Sequence, residues 1–329
     1  CSPAVFSQSA RLTVETDPVI TTNPLDGENC EGGGVSFSVT ATGSDLEYQW
    51  YEEGGPLSNG GIYSGATGPV LTISSINSSM DGHEYYVEVS NGASSVCSAT
   101  VPSTVATLTV NEIPEVTDDP DPVTICEGSN TSFSINEGVT TGAAIRWQVS
   151  TNNGSSYTDL NNDGTYSDVD QPTLLITGAT SSMNNYLYRA RVSGTCSPAV
   201  FSQSARLTVN EVPEITGNPI GQTACEGSNV SFVINAGATS VPVIQWQVFT
   251  GSWTNLSNNA TYSGVNTNTL TVTANSALHN NQYRARVTGV CTPAVNSSPA
   301  TLTVNELPEI TVQPVDRTVC SGAGTNFTV

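Results

Sequence analysis

A fourteen-residue phrase occurs twice in this chain: CSPAVFSQSARLTV fills positions 1–14 and returns unchanged at 196–209. Recurrence at that distance means the chain is built from copies of one unit, so its fold is decided unit by unit. The phrase LTVNExPE marks the same register at 108–115, 207–214 and 302–309, each time ahead of a Pro-containing stretch and then a cysteine. Cys30, Cys126, Cys225 and Cys320 follow one another at 96, 99 and 95 residues, and Trp50, Trp147 and Trp246 keep the same period. Three complete units follow, at 15–110, 111–209 and 210–304. The end of a preceding unit occupies 1–14, the start of a further one 305–329, and the expected whole is longer than this chain. Because Cys1 opens a phrase that recurs internally at Cys196, it reads as part of a repeat rather than as a lipid-anchored start.

Within a unit, SFVINA, VIQWQV, TLTVTA, YRARV and ATLTV alternate apolar and polar residues between Gly, Asn and Ser. That period of two predicts β-strands, and no segment keeps a 3.6 period over a helical length. Roughly seven short strands per unit is the arithmetic of a two-sheet sandwich. The expected class is all-β.

Charge narrows the function. The chain has 29 acidic and 8 basic residues, a formal net charge of -21, and only 11% charged positions in all. Such a surface repels phosphate backbones and anionic lipid, which argues against nucleic acid and membrane insertion as partners. No stretch approaches the roughly 20 apolar residues of a spanning helix. All basic residues are Arg, so a Lys–Asn isopeptide crosslink is excluded. Eight cysteines without a CxxC pair, beside two histidines, do not make a zinc site. Their wide, regular spacing reads as disulfides formed outside the cytoplasm.

Several segments resemble landmarks of an immunoglobulin domain. EGSNVSFVI (226–234) resembles the turn into strand B, and Trp246 stands where the core Trp of strand C would lie. TLTV (269–272) resembles strand E and YRARV (283–287) strand F, while LTISSINSSMDGHEY (71–85) is the corresponding run in unit one. The resemblance covers the whole chain. It implies immunoglobulin-like β-sandwich domains stacked head to tail as a rod, with Tyr85, Tyr188 and Tyr283 as tyrosine-corner residues.

One departure from that family is informative. The positions of its inter-sheet disulfide hold Val39 with Val87, Ile135 with Ala190, and Ile234 with Ala285, so apolar packing replaces the bond. The cysteines lie instead before the A–B turn (Cys30, Cys126, Cys225) and after strand F (Cys97, Cys196, Cys291). Under the immunoglobulin topology these two places in one unit are roughly 30–40 Å apart, from about 3.3 Å per strand residue. A disulfide spans only about 4.4–6.8 Å between Cα atoms. Units that abut with almost no linker would then pair Cys30 with Cys196 and Cys126 with Cys291. Cys1, Cys97, Cys225 and Cys320 would be left for units beyond. A different topology would give the pairs 30–97, 126–196 and 225–291 inside single units, and the sequence leaves both schemes open.

Catalytic chemistry finds no constellation. His83 and His279 lie in the approach to strand F, where solvated polar residues are expected, and neither belongs to a Ser/His/Asp pattern. DLNNDGTYSDVD (159–170) places Asp159, Asn161, Asp163 and Asp170 at positions 1, 3, 5 and 12 of a calcium loop, with Gly164 at position 6. Helices are missing on both sides, and an Asn-Asp-Gly hairpin turn accounts for the same residues. Trp253 and Tyr157 fall outside the core pattern, either as platforms for a sugar or as half-buried edge packing.

The phrases CEGS, WQV, YSG and YRARVxGxC resemble the tandem immunoglobulin-like repeats of giant Bacteroidota surface adhesins. Proteins of that family are exported across the outer membrane, often by the type IX route, and serve attachment or gliding. The resemblance implies a structural stalk or filament at the cell surface, stapled between adjacent domains, that holds a distal adhesive region away from the cell. Neighbouring repeats are the expected partners, together with further rods in a fibre and an extracellular surface or glycan. A ligand-binding module and the accessory repeats of a secreted enzyme are the alternatives.

Overall fold

The computed structural model describes residues 3–329. Short strands dominate it, and the three 3-10 turns Ser78–Met80, Ser181–Met183 and Ser276–Leu278 recur at one place in each repeat. The chain gathers into two compact units. One takes the residues through Asp121 with Ser132–Leu175 and Leu187–Arg206; the other takes Pro122–Thr131, Ile176–Tyr186 and Leu207–Val329. The division runs through the second repeat and leaves each joint between repeats inside one unit.

In the first unit, Gly27–Cys30, Leu46–Glu52, Gly55–Pro56, Glu84–Asn91, Thr100–Pro102 and Ala106–Asn111 form a six-stranded sheet. Val35–Ser38, Val70–Ile73 and Tyr63–Ser64 form a three-stranded one. Alternation explains the core. In EYYVEVSN every second residue (Tyr85, Val87, Val89, Asn91) turns inward, as the period of a strand requires. Trp50, Phe37, Leu71 and Ile73 meet them, fully buried. The Trp50 indole donates to Gly68 O at 2.9 Å, which satisfies its one polar group. Phe37 stacks on Tyr85 with ring centroids 4.9 Å apart. Truncating such a Trp to Ala costs about 3–5 kcal/mol, a large share of a small domain's stability.

The strand Gly27–Cys30 runs parallel to Leu108–Asn111, which sets Cys30 opposite Asn111, where the first repeat ends. That register positions the staple described below. The same unit holds Ala144–Ser150 paired with Leu187–Ser193, and there Trp147 faces Ala190. The Trp147 indole donates to Gln171 O at 2.9 Å.

The second unit repeats the parallel register twice: Cys126 faces Asn210, and Cys225 faces Asn305. Its third-repeat core joins Phe232, Trp246, Leu270, Val272, Tyr283 and Leu302, and the Trp246 indole donates to Thr267 O at 2.9 Å. Val39, Val87, Ile135, Ala190, Ile234 and Ala285 are all buried, so these cores close without a disulfide inside the sandwich.

The hydroxyl of Tyr85 departs from the tyrosine-corner expectation, in which the group reaches back to the backbone. Tyr85 donates to Glu52 Oε1 at 2.5 Å. Tyr188 and Tyr283 lie 3.1 and 3.4 Å from the hydroxyls of Tyr166 and Tyr262. The rings fill the core as expected; the tip of Tyr85 is met by Glu52 of the neighbouring strand in its own sheet, and the tips of Tyr188 and Tyr283 by tyrosines of the facing sheet.

Candidate functional site

The joints between repeats carry the chemistry that sets this chain apart. At the first, Cys30 is bonded to Cys196 with a Cα separation of 5.8 Å. Glu31 N donates to Asn111 O at 2.9 Å, and the buried sulfur of Cys196 rests 3.4 Å from the same carbonyl. Beyond Asn111 the chain turns through Pro114, which is buried and brings no N–H to satisfy. Glu112 N donates to Thr141 Oγ1 at 2.8 Å and Glu115 N to Thr140 Oγ1 at 3.1 Å. Thr195 N donates to Thr141 O at 2.9 Å. Gly194 makes room for this approach, since a Cβ there would stand 2.7 Å from Thr141 O.

The second joint reproduces the first. Cys126 is bonded to Cys291, again with Cα atoms 5.8 Å apart. Glu127 N donates to Asn210 O at 2.8 Å, Glu211 N to Ser240 Oγ at 2.8 Å, and Glu214 N to Thr239 Oγ1 at 3.0 Å. A Cβ at Gly289 would meet Ser240 O at 2.8 Å. Of the two cysteine schemes that the sequence leaves open, the structure has the one that joins successive repeats. Each hydrogen bond contributes about 0.5–1.5 kcal/mol net, whereas a disulfide typically contributes about 2–4 kcal/mol. The bridge is the strongest single element of a joint.

Three glutamates crowd each joint: Glu31, Glu112 and Glu115 beside Pro114 and Val139, then Glu127, Glu211 and Glu214 beside Pro213 and Ala238. Burial, and after it the charge of Glu31, pushes the Glu112 carboxyl above its ordinary range. Among the described residues, no three His, Cys, Asp or Glu side chains are arranged to hold a metal ion.

No protein-family model matches the chain, and no curated protein matches it. Solved structures do. The three-domain I-band fragment from titin superposes with a TM-score of 0.65 at 15% identity, covering 88% of this chain and 99% of the fragment. An E-to-A mutated variant of the same titin domains gives 0.66 at 16%, with equal coverage. The fold is that of tandem immunoglobulin-like domains. At such low identity the likeness speaks for the fold alone.

In these immunoglobulin-like repeats Cys97 and Cys225 occupy the same two places as the bonded cysteines. Cys97, half-buried and free, is the counterpart of Cys196 and Cys291. Burial, and then the charge of Asp17, pushes its thiol upward. Cys225, exposed and free, ends its strand as Cys30 and Cys126 do, and Glu226 N donates to Asn305 O at 3.0 Å. Cys320 is exposed and free. Cys1 lies outside the described residues.

The loop 159–170 is a turn. Asp163 Oδ1 accepts from Thr165 N at 2.6 Å and Tyr166 N at 2.7 Å, and these bonds hold its carboxyl below the ordinary range. Asp159 Oδ1 accepts from Gln148 at 2.7 Å, while Asp170 Oδ1 lies 3.4 Å from the Gln171 amide. The structure does not gather Asp159, Asp163 and Asp170 around a common centre: Asp159 and Asp163 turn their oxygens to the chain's own donors. The rings of Trp253 and Tyr157 are not free platforms either: Arg284 lies 4.3 Å over the first and Arg189 3.8 Å over the second.

His83 corrects the expectation of a solvated histidine. Its Nδ1 lies 3.0 Å from Glu52 Oε1, and Tyr63 and Tyr85 also donate to that carboxylate. The joint residues Thr140, Thr141, Thr239 and Ser240 were missed in the sequence. Their signal is the recurring Gly-x-Thr-Thr/Ser at 138–141 and 237–240.

Proposed function

We propose that this chain is a load-bearing stalk segment of a long extracellular adhesin, of the kind found in type IX-secreted Bacteroidota surface proteins. The observation that carries the reading is that both disulfides join one repeat to the next, at two joints built alike. Bonds so placed add nothing to the closure of a single sandwich, whose core is already apolar. They restrict the freedom between sandwiches, which is what a stalk needs to keep a distal adhesive region extended. Disulfides form in oxidising surroundings outside the cytoplasm, in keeping with a place at the cell surface. Cys97 and Cys225 continue the series, and in the whole protein they bond to a preceding and a following repeat.

Small-angle scattering tests the reading on the oxidised chain and on Cys30→Ser/Cys126→Ser. With about 40 Å per repeat, from the rise of a strand, the oxidised chain is expected to show one sharply defined long dimension near roughly 130 Å. The variant is expected to broaden that distribution toward bent forms. Equal breadth in both would remove the mechanical role of the bridges.

A further inference from the structure

The charges of this chain are unevenly placed. Repeat 15–110 holds 12 acidic residues and no arginine; repeat 210–304 holds only Glu211, Glu214 and Glu226 against Arg284 and Arg286. The outward face of the third repeat's larger sheet sets Gln247 opposite Arg284 and Gln245 opposite Arg286. Arg284 Nε donates to Gln247 Oε1 at 2.8 Å while its guanidinium covers Trp253, whose ring leans on Phe249 with centroids 5.3 Å apart. Arg286 is exposed beside it. Among the described residues, neither arginine is paired with a carboxylate, although the chain has 29 of them.

The first repeat carries the opposite chemistry at the same positions. There Tyr51 faces Tyr86 and Gln49 faces Glu88. The two rings stack in parallel, 4.9 Å between centroids and 3° between planes, and Tyr51 donates to Glu88 Oε2 at 2.9 Å. Glu47 and Glu84 are exposed on the same face.

From this complementarity we infer that the guanidinium face of the third repeat docks on the carboxylate face of the first repeat in a second copy of the chain. A guanidinium matches both a carboxylate fork and an aromatic plane, and the first repeat offers the two side by side. An acidic glycan is the weaker occupant, because Arg284 already covers a face of Trp253 and sugars need that face to stack. The two surfaces are different patches of one molecule, so the contact is heterologous. The net charge of -21 opposes association at long range. At about 0.1 M salt, repulsion beyond roughly 10 Å is screened while charges in contact still attract. The inference does not rest on the disulfides, and its failure would leave the stalk reading standing.

Sedimentation of the full chain with Cys1, Cys97, Cys225 and Cys320 changed to Ser tests it without stray crosslinks. Association that rises with concentration in 0.1 M salt, and weakens about tenfold or more in 0.5 M, is expected. Arg286→Glu and Glu88→Arg are each expected to weaken it by about tenfold, and the two together to restore it to within about threefold. Unchanged melting midpoints show that the variants fold. A chain that stays monomeric at every concentration overturns the inference, and so does failure of the paired swap to restore association. Titration with polygalacturonate gives the other occupant its chance. Binding that depends on Arg286 in a chain that remains monomeric would assign the face to an acidic glycan instead.

Discussion

Glu52 occupies a position that the other repeats fill with Val149 and Val248, each opposite the core tyrosine of its repeat. Burial by itself would raise its pKa. Hydrogen bonds from Tyr85, His83 and Tyr63 outweigh that effect and hold the carboxyl below its ordinary range. The same contact, after burial, pushes Tyr63 up to about 12. A carboxylate with a depressed folded pKa contributes stability above its unfolded pKa, and the contribution is lost as pH falls through the folded value. Thermal melting is therefore expected to weaken on the acid side of the glutamate range. Glu52→Val should flatten that acid limb at little cost near neutral pH, since Tyr63 and Tyr85 can then meet as Tyr166 and Tyr188 do. An acid limb equally steep in the variant would show that the cluster does not set it.

Glycine governs the joint as an element. Gly194 and Gly289 let the segment before each bonded cysteine lie against Thr141 O and Ser240 O. Gly194→Ala is expected to destabilise the first joint by about 1–3 kcal/mol, the usual toll of overpacking, read as an earlier midpoint in urea. An unmoved midpoint would show that the contact yields. Strands and joints were unequally legible in the sequence. YRARV alternates so plainly that the strand Gln282–Thr288 follows from it. Glu52 shares the parity of Trp50, so its inward aim was written there too. What it meets depended on the strand register that sets it opposite Tyr85, two residues past His83, and on the facing sheet that brings Tyr63; His83 looked solvated for that reason. The cysteine period was visible at once, and the immunoglobulin topology already pointed to pairs across repeats; choosing that scheme over pairs inside one unit took the register that sets Cys30 beside Asn111 at the end of the repeat. Around Asp163 the sequence left two readings open, because an Asx turn and a calcium loop draw on the same residues.

Across the whole molecule the bridges span 166 and 165 residues, and their loops overlap between Cys126 and Cys196. The shortest covalent route from one terminus to the other crosses both bonds and uses only roughly 140 of the 329 residues. Pulled taut with every sandwich undone, the oxidised chain reaches roughly 480 Å, against roughly 1,100 Å once reduced, at about 3.4 Å per residue. Optical tweezers read that difference directly, and equal contour lengths would mean that the bridges do not hold under tension. A sandwich that melts under tension therefore surrenders little slack. One lost domain lengthens the chain only a little, much as a rope with knotted strands frays without parting.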